Sequence, residues 1–187
     1  RQLQADHGMA FWQMHHRVAM RQYLPCYAEV LRTVPRGATV LDWGAGNGHF
    51  TVFLLEAGYR VELFDVHRES IQAVIGDEYG DAVRCSTSTD DPVTLPHADA
   101  SVDAVVSVGV LEHVRETGGD EVASLRELRR VKRPGAPLLC FHFPSRTSSI
   151  ENANRLIGRV TGRSRGHAYL YTRRDVRRLC AAAGLRV

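Results

Sequence analysis

Short apolar runs alternate along this chain with longer amphipathic stretches. The apolar runs predict five strands, at 39–42, 60–66, 82–86, 102–108 and 137–143. The stretches between them carry apolar residues at helical spacing and predict helices at 47–57, 69–75 and 121–133. The fourth run is apolar over nearly its whole length, which is typical of a strand buried on both faces. Strands that alternate with helices predict an α/β fold with a parallel sheet.

Both ends of the chain add helical patterns to this central arrangement. Residues 10–32 have the spacing of an amphipathic helix, and Pro25 predicts a break within it because proline cannot donate a helical hydrogen bond. Near the other end, Thr172 has the character of an N-cap, and Asp175 occupies the capping-box position three residues later. Gly184 predicts the end of that last helix.

The spacing of these elements divides the chain into two parts. We expect residues 1–35 to form an N-terminal helical segment and residues 36–187 to form one domain with an insert at 144–168. The insert is long for a connection between a strand and a helix. It predicts one short helix of its own, because four apolar residues in it share a helical face: Ile150, Ala153, Ile157 and Val160.

A glycine-rich run after the first strand carries the strongest chemical signal. The strand ends in Asp42, and three alternating glycines follow at positions 44, 46 and 48. Because glycine has no Cβ, such a loop lets a ligand approach the backbone closely. A dinucleotide fingerprint reads G-x-G-x-x-G, and its third glycine position is His49 here. The run reads D-x-G-x-G-x-G instead, and it resembles motif I of the class I S-adenosylmethionine (SAM)-dependent methyltransferases.

Two later segments extend the resemblance. Residues 91–105 read D-P-V-T-L-P-H-A-D-A-S-V-D-A-V, similar to the D-x-x-x-L-P-x-x-D-x-S-F-D-x-V of the ubiquinone/menaquinone-biosynthesis-like (methyltransferase type 11) group. This chain departs from the group at His97 and Val102, where aromatic residues are preferred. The segment 107–114 follows in the expected order. The resemblance implies a Rossmann-like, doubly wound and mainly parallel sheet with helices on both faces.

The resemblance also implies which residues bind SAM and its product S-adenosylhomocysteine. Asp65 follows the first glycine by about 20 residues, a spacing that suits a carboxylate bound to both ribose hydroxyls, although NAD sites place an acid similarly. Asp91 matches the acid that contacts the adenine amino group, with Asp90 as its competitor. The full set of implied cofactor-binding residues is Asp42, Gly44, Ala45, Gly46, Asp65, Val66, Asp91, Ser107, Val108 and Gly109.

Histidines are the candidates for catalysis. Methyl transfer from a sulfonium mainly needs alignment and exclusion of water, and an oxygen or nitrogen acceptor gains from a general base with a pKa near neutral. His113 and His142 follow the fourth and fifth strands, at the rim where such sheets bind ligands. His113 can equally be a helix-start residue, and His142 a packed one. The family's N-terminal helix and late insert lie over such sites, so His15, His16 and His167 stay open.

Composition limits which classes of partner and which cellular location we expect. The net charge of +3 is too weak to indicate nucleic acid. The four cysteines are far apart and form no C-x-x-C pair, so they predict no metal site, no disulfide framework and a cytoplasmic location. No apolar run is long enough to span a bilayer, and residues 1–10 predict no secretory signal. Arginines in the insert either meet a phosphate or carboxylate of the acceptor or form a solvated face.

We therefore expect a SAM-dependent methyltransferase that acts on an oxygen, nitrogen or carbon of a small-molecule or lipid- or sugar-linked acceptor. Two alternatives stay open: a non-catalytic SAM-binding partner subunit, and an NAD-dependent oxidoreductase, which the third glycine position and the lack of a Tyr-x-x-x-Lys pair disfavour. The family's sheet ends with two further strands beside residues 137–143. We expect residues beyond Val187 or another subunit, in a homo-oligomer, to cover that edge.

Overall fold

The computed structural model describes residues 17–66, 79–87, 91–162 and 167–187. Its helices are α1 Arg17–Thr33, α2 His49–Glu56, α3 Glu121–Val131, α4 Ser149–Thr161 and α5 Arg173–Ala182. Its strands are β1 Thr39–Trp43, β2 Arg60–Asp65, β3 Val83–Thr87, β4 Ala104–Val108 and β5 Leu138–Phe141. The helix predicted over 69–75 lies outside the described residues, as do residues 1–16 with the candidate histidines His15 and His16.

The five strands form one parallel sheet in the order β3-β2-β1-β4-β5. In the register of the central pairs, Val40 lies opposite Val61 of β2 and Ala104 of β4. The chain proceeds outward from β1 to β3 and then returns to the other side of β1 with β4. This reversal opens a crevice at the carboxyl ends of β1 and β4, which is where open α/β sheets bind ligands. The predicted α/β, Rossmann-like class is confirmed.

The two faces of the sheet pack against different helices. On one face, Val40 of β1 belongs to a core that includes Val30 of α1 and Leu54 of α2. On the other face, Leu41 belongs to a core that includes Leu128 of α3. Because successive side chains of a strand point to opposite faces, one short apolar run supplies both cores. All five of these side chains are completely buried.

Helix α1 is continuous through Pro25, so the predicted break is wrong. Proline removes one helical hydrogen bond. The face of α1 that meets the sheet carries Tyr23, Cys26 and Val30, at most 5% exposed. Burial of these three side chains favours a single continuous helix over a helix that ends at the proline.

The predicted capping of the last helix is confirmed. The Thr172 hydroxyl accepts the N–H of Asp175 at 3.2 Å, and the Asp175 carboxylate accepts the N–H of Thr172 at 2.8 Å. Gly184 follows α5 with a φ of 73°. The predicted helix inside the insert is α4. Among the described residues, no helix combines the length and the apolar character needed to cross a bilayer.

Candidate active site

The loop between β1 and α2 is built from glycines with left-handed backbone angles. Gly44, Gly46 and Gly48 have φ values of 75°, 53° and 76°. The N–H of Gly44 donates to the carbonyl oxygen of Phe64 at 2.8 Å, which ties the loop to β2. A Cβ on Gly44 would lie 2.7 Å from a methyl carbon of Val110, closer than real Cβ atoms approach. Glycine is therefore required at position 44 by both angle and space.

Asp65 ends β2 beside this loop. One of its carboxylate oxygens accepts the N–H of Gly46 at 2.7 Å, and the residue is 7% exposed. A charged acceptor shortens and strengthens such a bond. The acid that the sequence assigns to the ribose is thus also attached to the glycine loop.

A cavity of about 660 Å³ opens over the loop and the ends of β1, β2 and β4. Six residues singled out from the sequence line it: Gly44, Gly46, Asp65, Val66, Gly109 and His113. The sequence analysis missed several further lining residues, among them Trp43, Phe64, Pro92, Val110 and Glu116. Their only signal in the sequence is that they lie within three residues of a glycine, a strand end, Asp91 or His113.

Asp42 lies under the loop, outside the cavity lining. The Thr51 hydroxyl donates to its carboxylate at 2.5 Å, and the residue is 2% exposed. Burial raises the pKa of Asp42 to about 7; the Thr51 hydrogen bond acts against this, and the charge of Asp65 adds to it. This geometry makes Asp42 a support for the start of α2.

Four other predicted cofactor residues also lie outside the cavity lining, and three of them belong to β4 and the glycine loop: Ala45, Ser107 and Val108. Ala45 and Ser107 are buried, and Val108 is partly exposed. The backbone around Ser107 belongs to β4, which pairs with β5 through Val105 to Val108. These residues support the strand and the loop whose neighbours line the cavity. Their assignment to cofactor contact stays a prediction.

Asp91 is exposed at the start of the segment after β3, one residue before the cavity-lining Pro92. Its carboxylate accepts the N–H groups of Val93 at 2.8 Å and Thr94 at 3.2 Å. Hydrogen bonds from the Thr94 side chain and from these two N–H groups hold the pKa of Asp91 below its usual value. Its competitor Asp90 lies outside the described residues.

His113 faces the cavity from a 3₁₀ turn, Leu111–His113, directly after β4. Its Nδ1 lies 2.7 Å from a carboxylate oxygen of Glu116. The His167 ring stands 5.7 Å from the His113 ring, centroid to centroid. The neighbouring Glu112 is 3% exposed, and burial raises the pKa of its carboxyl group. A Cβ on Gly109 would lie 3.5 Å from a Glu112 carboxylate oxygen, so the two meet at the end of β4.

His142 lies in a different environment from His113. It has a φ of 62°, and its ring packs 4.6 Å from the Tyr23 ring of α1. Its Nε2 lies 3.3 Å from the Gln22 carbonyl oxygen. Nearby, burial and the charge of His142 lower the pKa of His49 to about 4. His142 is not among the residues that line the cavity. The placement therefore favours His113 over His142 as the catalytic residue.

A second cavity, of about 730 Å³, has four arginines and two acidic residues, Glu121 and Asp175, in its lining. Arg146 and Arg155 of the insert meet Arg115 and Arg178 there. Arg115 lies 5.1 Å from the centre of the Tyr169 ring and is paired with buried Glu121 at 2.7 Å. Of the other insert arginines considered from the sequence, Arg159 does not line this cavity. Residues 163–166 are not described.

Comparison with known proteins assigns the chain to a family. Residues 14–187 match the family model described as a methyltransferase domain. Over 123 residues the chain is 29% identical to the tRNA (carboxymethyluridine(34)-5-O)-methyltransferase ALKBH8 of Mus musculus. That alignment covers 63% of this chain and 16% of the mouse protein. Over 124 residues it is 32% identical to the ubiquinone/menaquinone biosynthesis C-methyltransferase UbiE of Hahella chejuensis, and this alignment covers 63% of this chain and 47% of UbiE.

A solved structure supports the fold. The SAM-dependent methyltransferase from Aquifex aeolicus aligns with a TM-score of 0.68 at 20% sequence identity. The alignment covers 94% of this chain and 86% of that one. The two curated relatives are longer, and this chain spans less than half the length of either.

Proposed function

The chain belongs to the methyltransferase-domain family, and from this premise we propose that the protein transfers a methyl group from SAM to an acceptor that carries a phosphate or a carboxylate. The predicted resemblance to class I SAM-dependent methyltransferases is confirmed, and so is the prediction of SAM as the cofactor. The identity of the acceptor and the roles of individual residues belong to the proposal.

One observation carries the proposal: the glycine loop, the Asp65 carboxylate and His113 border the same cavity. The residues fit SAM because the left-handed glycines leave backbone accessible and Asp65 offers a carboxylate to ribose hydroxyls. His113 stands on the opposite flank of the crevice from Asp65, since one follows β4 and the other ends β2. The acceptor would therefore approach from the His113 side.

Bound SAM supplies a methyl group that is already activated on a sulfonium. The acceptor atom forms its bond to the methyl carbon while the carbon–sulfur bond breaks, and the bond's electron pair stays on sulfur. This chain's task is to align the acceptor and exclude water. For a hydroxyl or amine acceptor, His113 accepts the proton that the nucleophile releases. The hydrogen bond to Glu116 orients the ring for that role.

The arginine-lined cavity supports an anionic acceptor. Arg115 lines it, and His113 two residues earlier lines the cofactor cavity. An acceptor that spans the two would place its nucleophile near His113 and its anionic group among the arginines. Guanidinium groups bind phosphate and carboxylate through paired hydrogen bonds, which gives both affinity and orientation. Small phosphorylated molecules and lipid- or sugar-linked phosphates fit this description.

A second acceptor class is favoured by one comparison. The relative ALKBH8 is described as a tRNA methyltransferase, and phosphate-binding arginines serve nucleic acids as well. The net charge of +3 argues against an extended nucleic-acid surface. We therefore rank tRNA below a small or lipid- or sugar-linked acceptor. The absence of a nucleic-acid partner and the formation of a homo-oligomer stay predictions. A cytoplasmic location is also a prediction, and the four free cysteines support it.

Two measurements test this proposal. Isothermal titration with SAM, S-adenosylhomocysteine and NAD should show binding of the first two only. Transfer of labelled methyl from SAM should then be screened over matched acceptors with and without a phosphate or carboxylate, and over bulk tRNA. A much higher kcat/KM for the anionic member of a pair than for the neutral one supports the proposal. Binding of SAM without turnover of any acceptor class would instead favour a non-catalytic SAM-binding subunit.

A further inference from the structure

Three potential metal ligands meet beside the cofactor cavity. Glu112 and His113 come from the turn after β4, and His167 comes from the segment between α4 and α5. One ligand atom from each residue lies within 4.8 Å of those of the other two. Two imidazoles and one carboxylate are a donor set that suits a divalent transition metal.

We propose that Glu112, His113 and His167 bind one divalent transition-metal ion, with Zn²⁺ or Mn²⁺ favoured over Mg²⁺. Three protein ligands leave at least one coordination position open, as in catalytic metal sites. This departs from the expectation of no metal, which rested on the spacing of the cysteines alone. The two histidines lie 54 residues apart, so no short sequence motif indicates the site.

The surroundings of His113 support a ligand role. Its Nδ1 is engaged by the Glu116 carboxylate at 2.7 Å, which fixes the orientation of the ring and leaves Nε2 for an ion. Metal-binding histidines usually have such a carboxylate partner on the other ring nitrogen. Glu116 itself is outside the three-residue cluster. It is therefore a positioning residue for the site.

The burial of Glu112 supports the same conclusion. Glu112 is 3% exposed. Burying a charged carboxylate costs free energy unless positive charge or hydrogen bonds compensate it. A bound cation supplies that compensation. The carboxylate also reaches the end of β4, where a Cβ on Gly109 would lie 3.5 Å from one of its oxygens. The ion would thus stand beside the cofactor cavity.

Once its Nε2 binds the ion, His113 has no ring nitrogen left to accept the acceptor's proton, because Nδ1 faces Glu116. In the metal-bound protein the open position of the ion would instead bind the acceptor's hydroxyl oxygen and lower the pKa of that hydroxyl, so that its proton leaves to solvent. This role depends on the proposed methyl transfer, whereas binding of the ion does not. The site is therefore tested with the metal alone, in the absence of SAM and acceptor.

The test is isothermal titration of the chelator-treated protein with Zn²⁺, Mn²⁺ and Mg²⁺ in separate experiments. We expect one ion per chain, with Mg²⁺ the weakest of the three. His167→Asn and Glu112→Gln should each weaken Zn²⁺ binding at least tenfold, and Glu116→Gln should weaken it about 10- to 100-fold. Thermal unfolding of each variant verifies its fold. Because Glu112 is buried, the partly exposed His167 provides the variant that leaves the core intact.

Two control variants separate this site from adventitious binding. His142→Asn removes a histidine outside the cluster, and Cys85→Ser removes an exposed thiol. Both should bind Zn²⁺ as the unaltered protein does. A protein that binds no ion overturns the proposal, as does one whose binding survives in His167→Asn and Glu112→Gln. Metal binding without SAM binding would leave this site standing and refute the proposed methyl transfer instead.

Discussion

The backbone N–H of Gly46 donates to the carboxylate of Asp65 over 2.7 Å, and this bond joins the ends of two neighbouring strands. The glycine loop follows β1, and Asp65 ends β2. The carboxylate therefore acts on the loop whether or not a nucleoside is present. When SAM binds, the same group is expected to accept bonds from the ribose.

Asp65→Ala should weaken SAM binding by about 2–4 kcal/mol, roughly 30- to 900-fold, because two charge-assisted hydrogen bonds are lost. Asp65→Asn keeps an oxygen that can accept the Gly46 N–H, so its affinity for SAM should fall less. Isothermal titration gives both affinities. Glu62→Gln is the control, since Glu62 lies on the same strand outside the cavity lining. A loss below threefold in Asp65→Ala would restrict Asp65 to its bond with the loop.

Gly44→Ala should destabilise the protein more than Gly37→Ala does. Both glycines have φ near 75°, but a Cβ on Gly37 meets nothing within 4 Å, whereas one on Gly44 meets Val110. The angle costs about 1–2 kcal/mol in each variant, and the collision adds about 1–3 kcal/mol at Gly44. Urea denaturation measures the difference. Combining Gly44→Ala with Val110→Ala should recover part of it, and no recovery would disprove the collision.

The stability of the protein should fall between pH 5 and pH 8 because of Asp42. Its folded-state pKa of about 7 lies above the unfolded value near 4. The folded state thus holds a proton that the unfolded state has released, and stability falls as the pH rises toward 7. We expect a loss of about 2–3 kcal/mol from this group.

Asp42→Asn provides the comparison, because asparagine keeps an oxygen for the Thr51 hydroxyl and does not titrate. Urea denaturation at pH 5 and pH 8 should show a smaller pH dependence in this variant than in the unaltered protein. Titrating groups other than Asp65, whose charge acts on Asp42, contribute equally to both proteins. Equal pH dependence would show that Asp42 titrates near its usual pKa.

His113→Ala should lower turnover by about 10²–10⁴-fold, because the group that receives the acceptor's proton is removed. Its affinity for SAM should change less than threefold, since in the proposed arrangement the imidazole would face the acceptor and not the nucleoside. His142→Asn should leave turnover unchanged, because His142 packs against α1 and asparagine tolerates its φ of 62°. Steady-state kinetics and SAM titrations on both variants give the comparison. A larger loss in His142→Asn would reverse the assignment.

Arg155→Gln and Arg178→Gln should each raise KM for an anionic acceptor about tenfold, with kcat nearly unchanged, because a charge-assisted bond to the acceptor is lost. Arg32→Gln is the matched control, since that arginine is exposed on α1 and pairs with Glu29. For a neutral acceptor, none of the three variants should change KM. Unaltered KM for every anionic acceptor would leave the arginines as a solvated surface.

The strands, the glycine loop and the family could be predicted from residues that lie close together in the chain. Short apolar runs predict the strands, and the glycines after Asp42 predict a loop open to a ligand, because each signal depends on residues close together in the chain. The capping box of Thr172 and Asp175 is local for the same reason. The parallel sheet then followed from the alternation of strands and helices.

Only the tertiary structure decided which side chains meet. His113 and His142 both follow strands, yet packing against α1 directs one away from the cavity that the other lines. The cluster that joins Glu112 and His113 to His167 depends on where the insert returns, which no local pattern encodes. Likewise, α1 continues through Pro25 because the sheet buries its apolar face. Local backbone preferences set the elements, whereas long-range packing sets the directions of the side chains that would perform the chemistry.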